Sequence, residues 1–554
     1  MELCEWTAAA VTPGDGPPEA DGWQSIEDPV SPEGFAGERA VAYRTRFADP
    51  RDGGDGRVLL TLRGLYAHAR IWLNGAFVGS HDTYFTPFRT VFDPQDENEL
   101  LVECRAPEDR FGGVFETGLI PESRSVPGIR WSARVEGVPE TVITDLTIGT
   151  DESGDEAGVN AIVTIDAGTD IDGRVRLSLG PAGSAGASAL SQVGVSAAAG
   201  ERVTVQGRLS VRDPERWWPR GFGPQNRYVV RAALGEHERT ATTGFRTVEY
   251  NAEGLSVNGT RVPVRGLVVL PDERETDPDP IERAVEANAT LVRPYGHVPP
   301  KSCYEAAGAA GVLLMQDVPM SPGALDAERA RLVARTLAGA VGRRPSLAAF
   351  GVHDDSHGFD VTTDEDEWRV LRSTGNGGGA TATAAAAALP GDVPTISTPG
   401  LDGDTVEVGT AWVLDGCSAN GARTRYVVPG TDDAATARAE RAIEALRLSN
   451  ESIVTAFGPP GAVGDAVETA FAPVGIFLDD PTAAEPRVVV VNDTPEPVAG
   501  DLDWTTSTES ATLSVAVDPL SRTVVDGIDW PGDAERIELI LSTDERRATN
   551  EYER

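Results

Sequence analysis

Acidic side chains at the ends of short apolar runs are the residues of this chain with most scope for chemistry. Arg344-Pro345-Ser346-Leu347-Ala348-Ala349-Phe350-Gly351-Val352 is too short for a buried helix and breaks into His353-Asp354-Asp355-Ser356-His357. A core strand of an α/β barrel delivers acids in this way to the rim where such barrels keep their active sites. Val312-Leu313-Leu314-Met315-Gln316-Asp317 has the same form and carries Asp317 toward the same rim. About a hundred residues beyond the first run, Ser452-Ile453-Val454-Thr455-Ala456-Phe457-Gly458 ends with no acid. Whether the chain is an enzyme turns on that difference.

The cluster from His353 to His357 also invites a metal reading, with His297 and Asp317 as further ligands. One dense cluster is weak support in a chain this rich in acid, so no metal and no cofactor is expected.

The elements that must position these residues fit a long, acidic, multidomain chain. Its 554 residues are enough for roughly three to five domains, and 40% hydrophobic content excludes wholesale disorder. Lys and Arg total 48 against 87 Asp and Glu, a formal charge of -39, which argues against nucleic-acid or anionic-membrane partners. Lys301 is the single lysine. Dispersed acid with so little lysine reads as adaptation to a salty cytoplasm, where a Debye length of roughly 3 Å at 1 M salt screens self-repulsion. Cys4, Cys104, Cys303 and Cys417 lack CxxC spacing and read as reduced thiols. Met1-Glu2-Leu3-Cys4-Glu5-Trp6 lacks a basic start and an apolar core, and no run approaches the ~20 apolar residues of a membrane span. The expected location is the cytoplasm; the oligomeric state is open.

From Trp23 to about Ala106, short alternating runs split by Gly, Asp and Pro predict an antiparallel β-sandwich. Asn74-Gly75 between Ile71-Trp72-Leu73 and Ala76-Phe77-Val78 predicts a hairpin. Glu140 to about Thr243 repeats the pattern and suggests an immunoglobulin-like sandwich, with Gly180 to Ala199 expected as a surface loop. After Leu255 the period-2 alternation gives way to strand–helix units: helices over Pro280–Ala287, Ser302–Ala309 and Leu325–Ala340 lead into the next strands. Ser373 to Ala388 reads as a loop or a worn helix, and Asp433 to Leu448 as an amphipathic helix. Beyond Pro486, three strand-like runs suggest a last sandwich.

Several segments carry a resemblance. Ala69-Arg70-Ile71-Trp72-Leu73-Asn74-Gly75-Ala76-Phe77-Val78-Gly79-Ser80-His81, Tyr84-Phe85-Thr86-Pro87-Phe88 and Glu97-Asn98-Glu99-Leu100-Leu101-Val102 resemble the jelly-roll domain of glycoside hydrolase family 2. Arg216-Trp217-Trp218-Pro219-Arg220-Gly221-Phe222-Gly223-Pro224-Gln225 and Gly244-Phe245-Arg246-Thr247-Val248-Glu249 are similar to motifs that precede the family's barrel. Leu255 to Gly266 resembles the barrel's opening, and Val491 to Val498 a mannosidase C-terminal motif. The resemblance implies a multidomain β and α/β fold. Its parts would be a jelly-roll β-sandwich over 1–139, an immunoglobulin-like β-sandwich over 140–249, a (β/α)8 TIM-like barrel over 250–475 and a C-terminal β-sandwich over 485–554.

The family's chemistry needs two carboxyls about 5–5.5 Å apart in its retaining members. Carried over residue by residue, the acid/base falls on Asp355, its preceding Asn on Asp354, and the nucleophile on Ala456. Asp for Glu retracts the carboxyl by about 1.5 Å, and alanine cannot form a glycosyl-enzyme. The resemblance places Arg293 and His297 in a stretch that contacts sugar hydroxyls, although Arg293-Pro294-Tyr295-Gly296-His297 departs from the family's motif; His353 is a further candidate for sugar binding, and Trp412 reads either as a platform for a sugar ring or as a core tryptophan. The resemblance therefore implies a non-catalytic relative that binds carbohydrate. The rivals are a β-mannoside or β-galactoside hydrolase using rearranged carboxylates such as Asp355 and Asp317, and an assembly protein with a filled pocket.

Overall fold

The computed structural model describes the chain except residues 31, 33, 52, 118–119, 154–155, 185, 252–253, 272–279, 322–323, 325, 354–358, 364–368, 374–378, 399–411, 418–422, 429–439, 442, 446, 449–452, 458–464, 482, 484–485, 527–529, 531–533 and 554. For strand and helix residues within 152–153, 353–373, 397–428 and 453–467, only the backbone is described. The molecule is multidomain and β-rich, with few helices.

Alternation at period 2 builds the first unit. A six-stranded and a three-stranded antiparallel sheet bury their inward residues, Val41, Tyr43, Leu60, Leu62, Ile71 and Val102 among them, in one core. Asn74 and Gly75 take φ of 51° and 79°, as the tight hairpin between His68–Leu73 and Ala76–His81 requires. A second pair of sheets follows, one of three strands and one of four, around Val159, Val163, Leu177 and Val230.

One expectation fails in that second pair. Ala189–Ala197, part of the predicted loop, is a strand paired antiparallel with Ile171–Pro181. Val193, Val195 and Ala197 alternate along its inward face, Leu190 is exposed on the other, and only Val195 and Ala197 are buried. An edge strand needs little apolar weight, so composition hid it.

The third unit is a ten-stranded sheet. Ile453–Phe457, Val264–Val269, Leu291–Pro294, Leu313–Asp317, Leu347–His353 and Thr395–Thr398 run parallel in that spatial order. Arg423–Val428 extends the parallel run beside Ile453–Phe457. Trp412–Cys417 is antiparallel to Arg423–Val428, a departure from an all-parallel barrel. Helices Pro280–Glu286, Lys301–Ala310 and Ala327–Val341 connect the first strands and cover them. Asp326 caps the longest of them by accepting from the Glu328 and Arg329 amides at 3.0 Å each. Ala330, Val333, Ala334, Leu337 and Val341 line its buried face at helical spacing. Ala380–Ala386 is helical within the Ala-rich stretch. Val474–Leu478 and the strands after it form a last pair of sheets around Leu502, Trp504, Leu539 and Tyr552.

Candidate functional site

The parallel strands bring the candidate residues to one end of the ten-stranded sheet. Register sets their levels: Val268 lies opposite Arg293 on one side and Phe457 on the other, and Asp317 lies opposite Gly351. Ala456 is one step lower, in register with Leu267 and Val427. His353 closes the Leu347–His353 strand and Trp412 opens Trp412–Cys417. Asp354 and Asp355 lie outside the described residues.

Asp317 has no solvent exposure and Arg293 only 1%. The Arg293 Nε–H donates to both carboxylate oxygens, at 2.9 and 3.0 Å, and the Gly296 amide donates to Oδ2 at 3.0 Å. Gly351 makes this geometry sterically accessible, because a Cβ there would stand 1.9 Å from Asp317 Oδ1. Only a residue without a side chain lets the carboxylate lie against the neighbouring strand.

His297 is buried beneath Phe115, with ring centroids 6.5 Å apart. Its Nδ1 is 3.1 Å from the Tyr295 carbonyl, which can only accept, so Nδ1 carries the proton. Burial pushes the imidazole down to about 4, against a smaller upward pull from that carbonyl and from Asp317. The ring is neutral at pH 7. Gln316, fully buried on the intervening strand, donates to the His297 carbonyl at 2.8 Å and accepts from the Tyr304 hydroxyl.

The cover over these residues comes from the first sandwich and has no signal in the local sequence. Phe111, Val114, Phe115 and Ile120 share a core with Val292, Val298, Val318 and Met320 of the ten-stranded unit. The Val114 amide donates to the Gly296 carbonyl at 2.9 Å, and the Val298 amide donates to Tyr84 Oη at 2.7 Å. Gly113 has φ of 66°, and a Cβ there would stand 1.9 Å from the Gly296 oxygen. Arg130 lies over Phe115 and Tyr66, 3.9 and 4.4 Å from the ring centroids. Glu116 accepts from the Ser321 hydroxyl at 2.6 Å and the Gly112 amide at 2.7 Å; burial still raises its carboxyl above the ordinary range. Arg329 ties its helix to the same sandwich through Asp109 and Asp82, at 2.9 Å each.

The second sandwich fixes the strand that carries His353. Arg246 donates to the Pro345 and Leu347 carbonyls at 3.0 and 2.7 Å, and Thr243 to the Arg343 carbonyl at 2.9 Å. Trp217, fully buried, donates its indole N–H to the Gly308 carbonyl at 2.8 Å. Trp217 and Arg246, one from each quoted motif, are joints between the sandwich and the sheet, with Thr243 beside them. Among the described residues, no group of three or more His, Cys, Asp or Glu is placed to hold a metal ion, and no helix is long and apolar enough to cross a membrane.

Comparison with known proteins bears on this architecture. Residues 141–246, the second sandwich, match the model described as glycosyl hydrolases family 2. An exo-beta-D-glucosaminidase of Amycolatopsis orientalis is 28% identical over 306 residues, 48% of this chain and 28% of its own length. A beta-galactosidase of Thermoanaerobacter pseudethanolicus is 24% identical over 297 residues, 50% of this chain and 39% of its own. The matches thus span well under half of either curated relative. The crystal structure of a beta-D-mannosidase from Dictyoglomus thermophilum superposes with a TM-score of 0.69 at 16% identity, covering 100% of this chain and 89% of that one. That likeness is one of fold. The family match on the second sandwich, the two relatives and the shared fold together make this chain a glycoside hydrolase family 2-like protein.

Proposed function

We propose that this chain is a carbohydrate-related, non-catalytic relative of the family 2 glycosidases, holding a sugar without cleaving it. Asp317 carries the reading. With alanine at 456, hydrolysis needs a substitute carboxylate, and Asp317 would have to accept a proton from water. A base does so only within about 2.6–3.2 Å of its proton donor. Both Asp317 oxygens instead face Arg293, at no solvent exposure, below a segment of the first sandwich. In this reading the units are the four expected from sequence, and the ten-stranded sheet is a worn TIM-like barrel with Asp355 and Ala456 at its former acid/base and nucleophile positions. Arg293 and His297 act as supports beneath the pocket, while His353 and Trp412 stand at its edge. A salty cytoplasm remains the proposed setting.

Aryl β-mannoside, β-galactoside and β-glucosaminide assays in molar KCl test it: no turnover above the uncatalysed rate is expected, from the chain or from Asp355→Asn. Turnover that Asp355→Asn abolishes would sink the proposal. Titration calorimetry with mannose, galactose and glucuronate checks the binding half, and heat from none of them would leave an assembly role.

A further inference from the structure

We propose a binding site for a small organic ammonium ion on the first sandwich, beside the segment that roofs His297. A cavity of about 440 Å³ opens there between residues 37–39, 106–110 and 115–125. That volume lies in the range of small-molecule pockets, about 300–1,000 Å³. All of its lining residues belong to this sandwich, and none comes from the ten-stranded unit.

Tyr66 is the residue that points to a ligand. Only 1% of it is exposed, and its ring is enclosed by Tyr84, Phe115 and the Arg130 guanidinium, at 5.8, 4.9 and 4.4 Å. Its hydroxyl nevertheless has no hydrogen-bond partner among the described residues, whereas a buried tyrosine ordinarily finds one. A glycine keeps the space beside that hydroxyl open. A Cβ at Gly112 would stand 2.6 Å from Pro107 Cγ, 2.7 Å from Tyr66 Oη and 2.9 Å from Glu116 Cγ, and these three residues line the cavity. The same corner holds a free acceptor. Glu116 spends Oε2 on the Ser321 hydroxyl and the Gly112 amide, and its Oε1 has no partner among the described residues.

Charge decides which ligand these two atoms would take. Glu38, Glu108, Glu116 and Glu122 line the cavity with Arg39 and Arg110, a formal excess of two negative charges. Arg39 is 3.8 Å from Glu108, and so exposed a pair adds little in either direction. Glu116 counts for more, because burial raises its carboxyl and a bound cation would favour the ionised form. An ammonium group has three N–H donors, enough to give one to Glu116 Oε1 and one to a lone pair of Tyr66 Oη. A phosphate or carboxylate would meet an excess of like charge. A neutral alcohol would satisfy both atoms and leave the charge unanswered. This inference is independent of the sugar-binding proposal.

The test is a titration of the full chain with butane-1,4-diamine at constant KCl, followed by saturation-transfer NMR of the ligand, with butane-1,4-diol as the uncharged match. Saturable binding of the diamine is expected, and none of the diol at the same concentrations. Tyr66→Phe removes only an unpartnered hydroxyl, so its urea midpoint should be no lower than the parent's, while diamine binding weakens about three- to tenfold. Glu116→Gln should weaken it about tenfold or more, the loss of a charge-assisted contact. Glu538→Gln, an exposed acid of the last pair of sheets, serves as the control for general attraction to an acidic surface and should leave binding unchanged. Failure of the diamine to bind, equal binding of the diol, or an affinity that neither Tyr66→Phe nor Glu116→Gln lowers more than Glu538→Gln would each overturn the assignment.

Discussion

Replacing Asp317 by Asn would leave the Arg293 guanidinium buried opposite an amide. Breaking one side of such a pair costs about 3–5 kcal/mol, which a shift in urea midpoint would report. Two other buried groups make stability depend on pH in opposite senses. His297 stays neutral in the folded chain down to about 4, whereas an unfolded histidine takes up its proton near 6.5. Stability therefore falls as pH drops from about 6.5 toward 4, by about 3 kcal/mol in all, and His297→Gln should flatten that limb of a urea-midpoint profile. Glu444, fully buried by the last pair of sheets, accepts from Asn550 at 2.8 Å and Tyr552 at 3.0 Å, and burial raises its carboxyl to about 7. Its contribution is complete below an unfolded value near 4.3 and is lost as pH rises through 7. Glu444→Gln should thus be more stable than the parent at pH 8, on the order of 2–3 kcal/mol, by the same denaturation assay.

Removal of the Phe115 ring tests the segment that roofs His297. Phe115→Ala should cost about 3–5 kcal/mol, and the His297 imidazole, reopened to water, should titrate closer to its ordinary value in proton NMR. An unchanged imidazole would mean that the roof lies elsewhere. This contact also shows where reading the sequence stops. Asn74-Gly75, the helical stretch over 325–340 and the apolar runs ending at Asp317 and His353 are local signals, and the structure has the hairpin, helix and strands they announce. The Ala189–Ala197 edge strand has too little apolar weight to be heard above its alanines and glycines. The partners of the site are silent for another reason. Arg293 meets Asp317 through the register of adjacent parallel strands, and Phe115 reaches His297 from a different sandwich. A spacing rule contains neither relation, so Asp317 looks like a free acid until its neighbour is placed.

At the scale of the whole molecule, a charge of -39 predicts that added salt stabilises the fold. Raising KCl from about 0.1 M to about 2 M shortens the Debye length from roughly 10 Å to under 3 Å, and the melting temperature should climb accordingly. A melt that does not move would show that the acids are already balanced locally. The order of the ten-stranded sheet has a further result. Val264 is in register with Ile453, so one flank of an early strand is completed only by a late one. While the ribosome is still making the intervening residues, that flank is a bare row of amides and carbonyls able to recruit a stranger's backbone. Nascent chains halted ahead of Ile453 should collect in the pellet of a cell extract, while the finished chain stays in the supernatant.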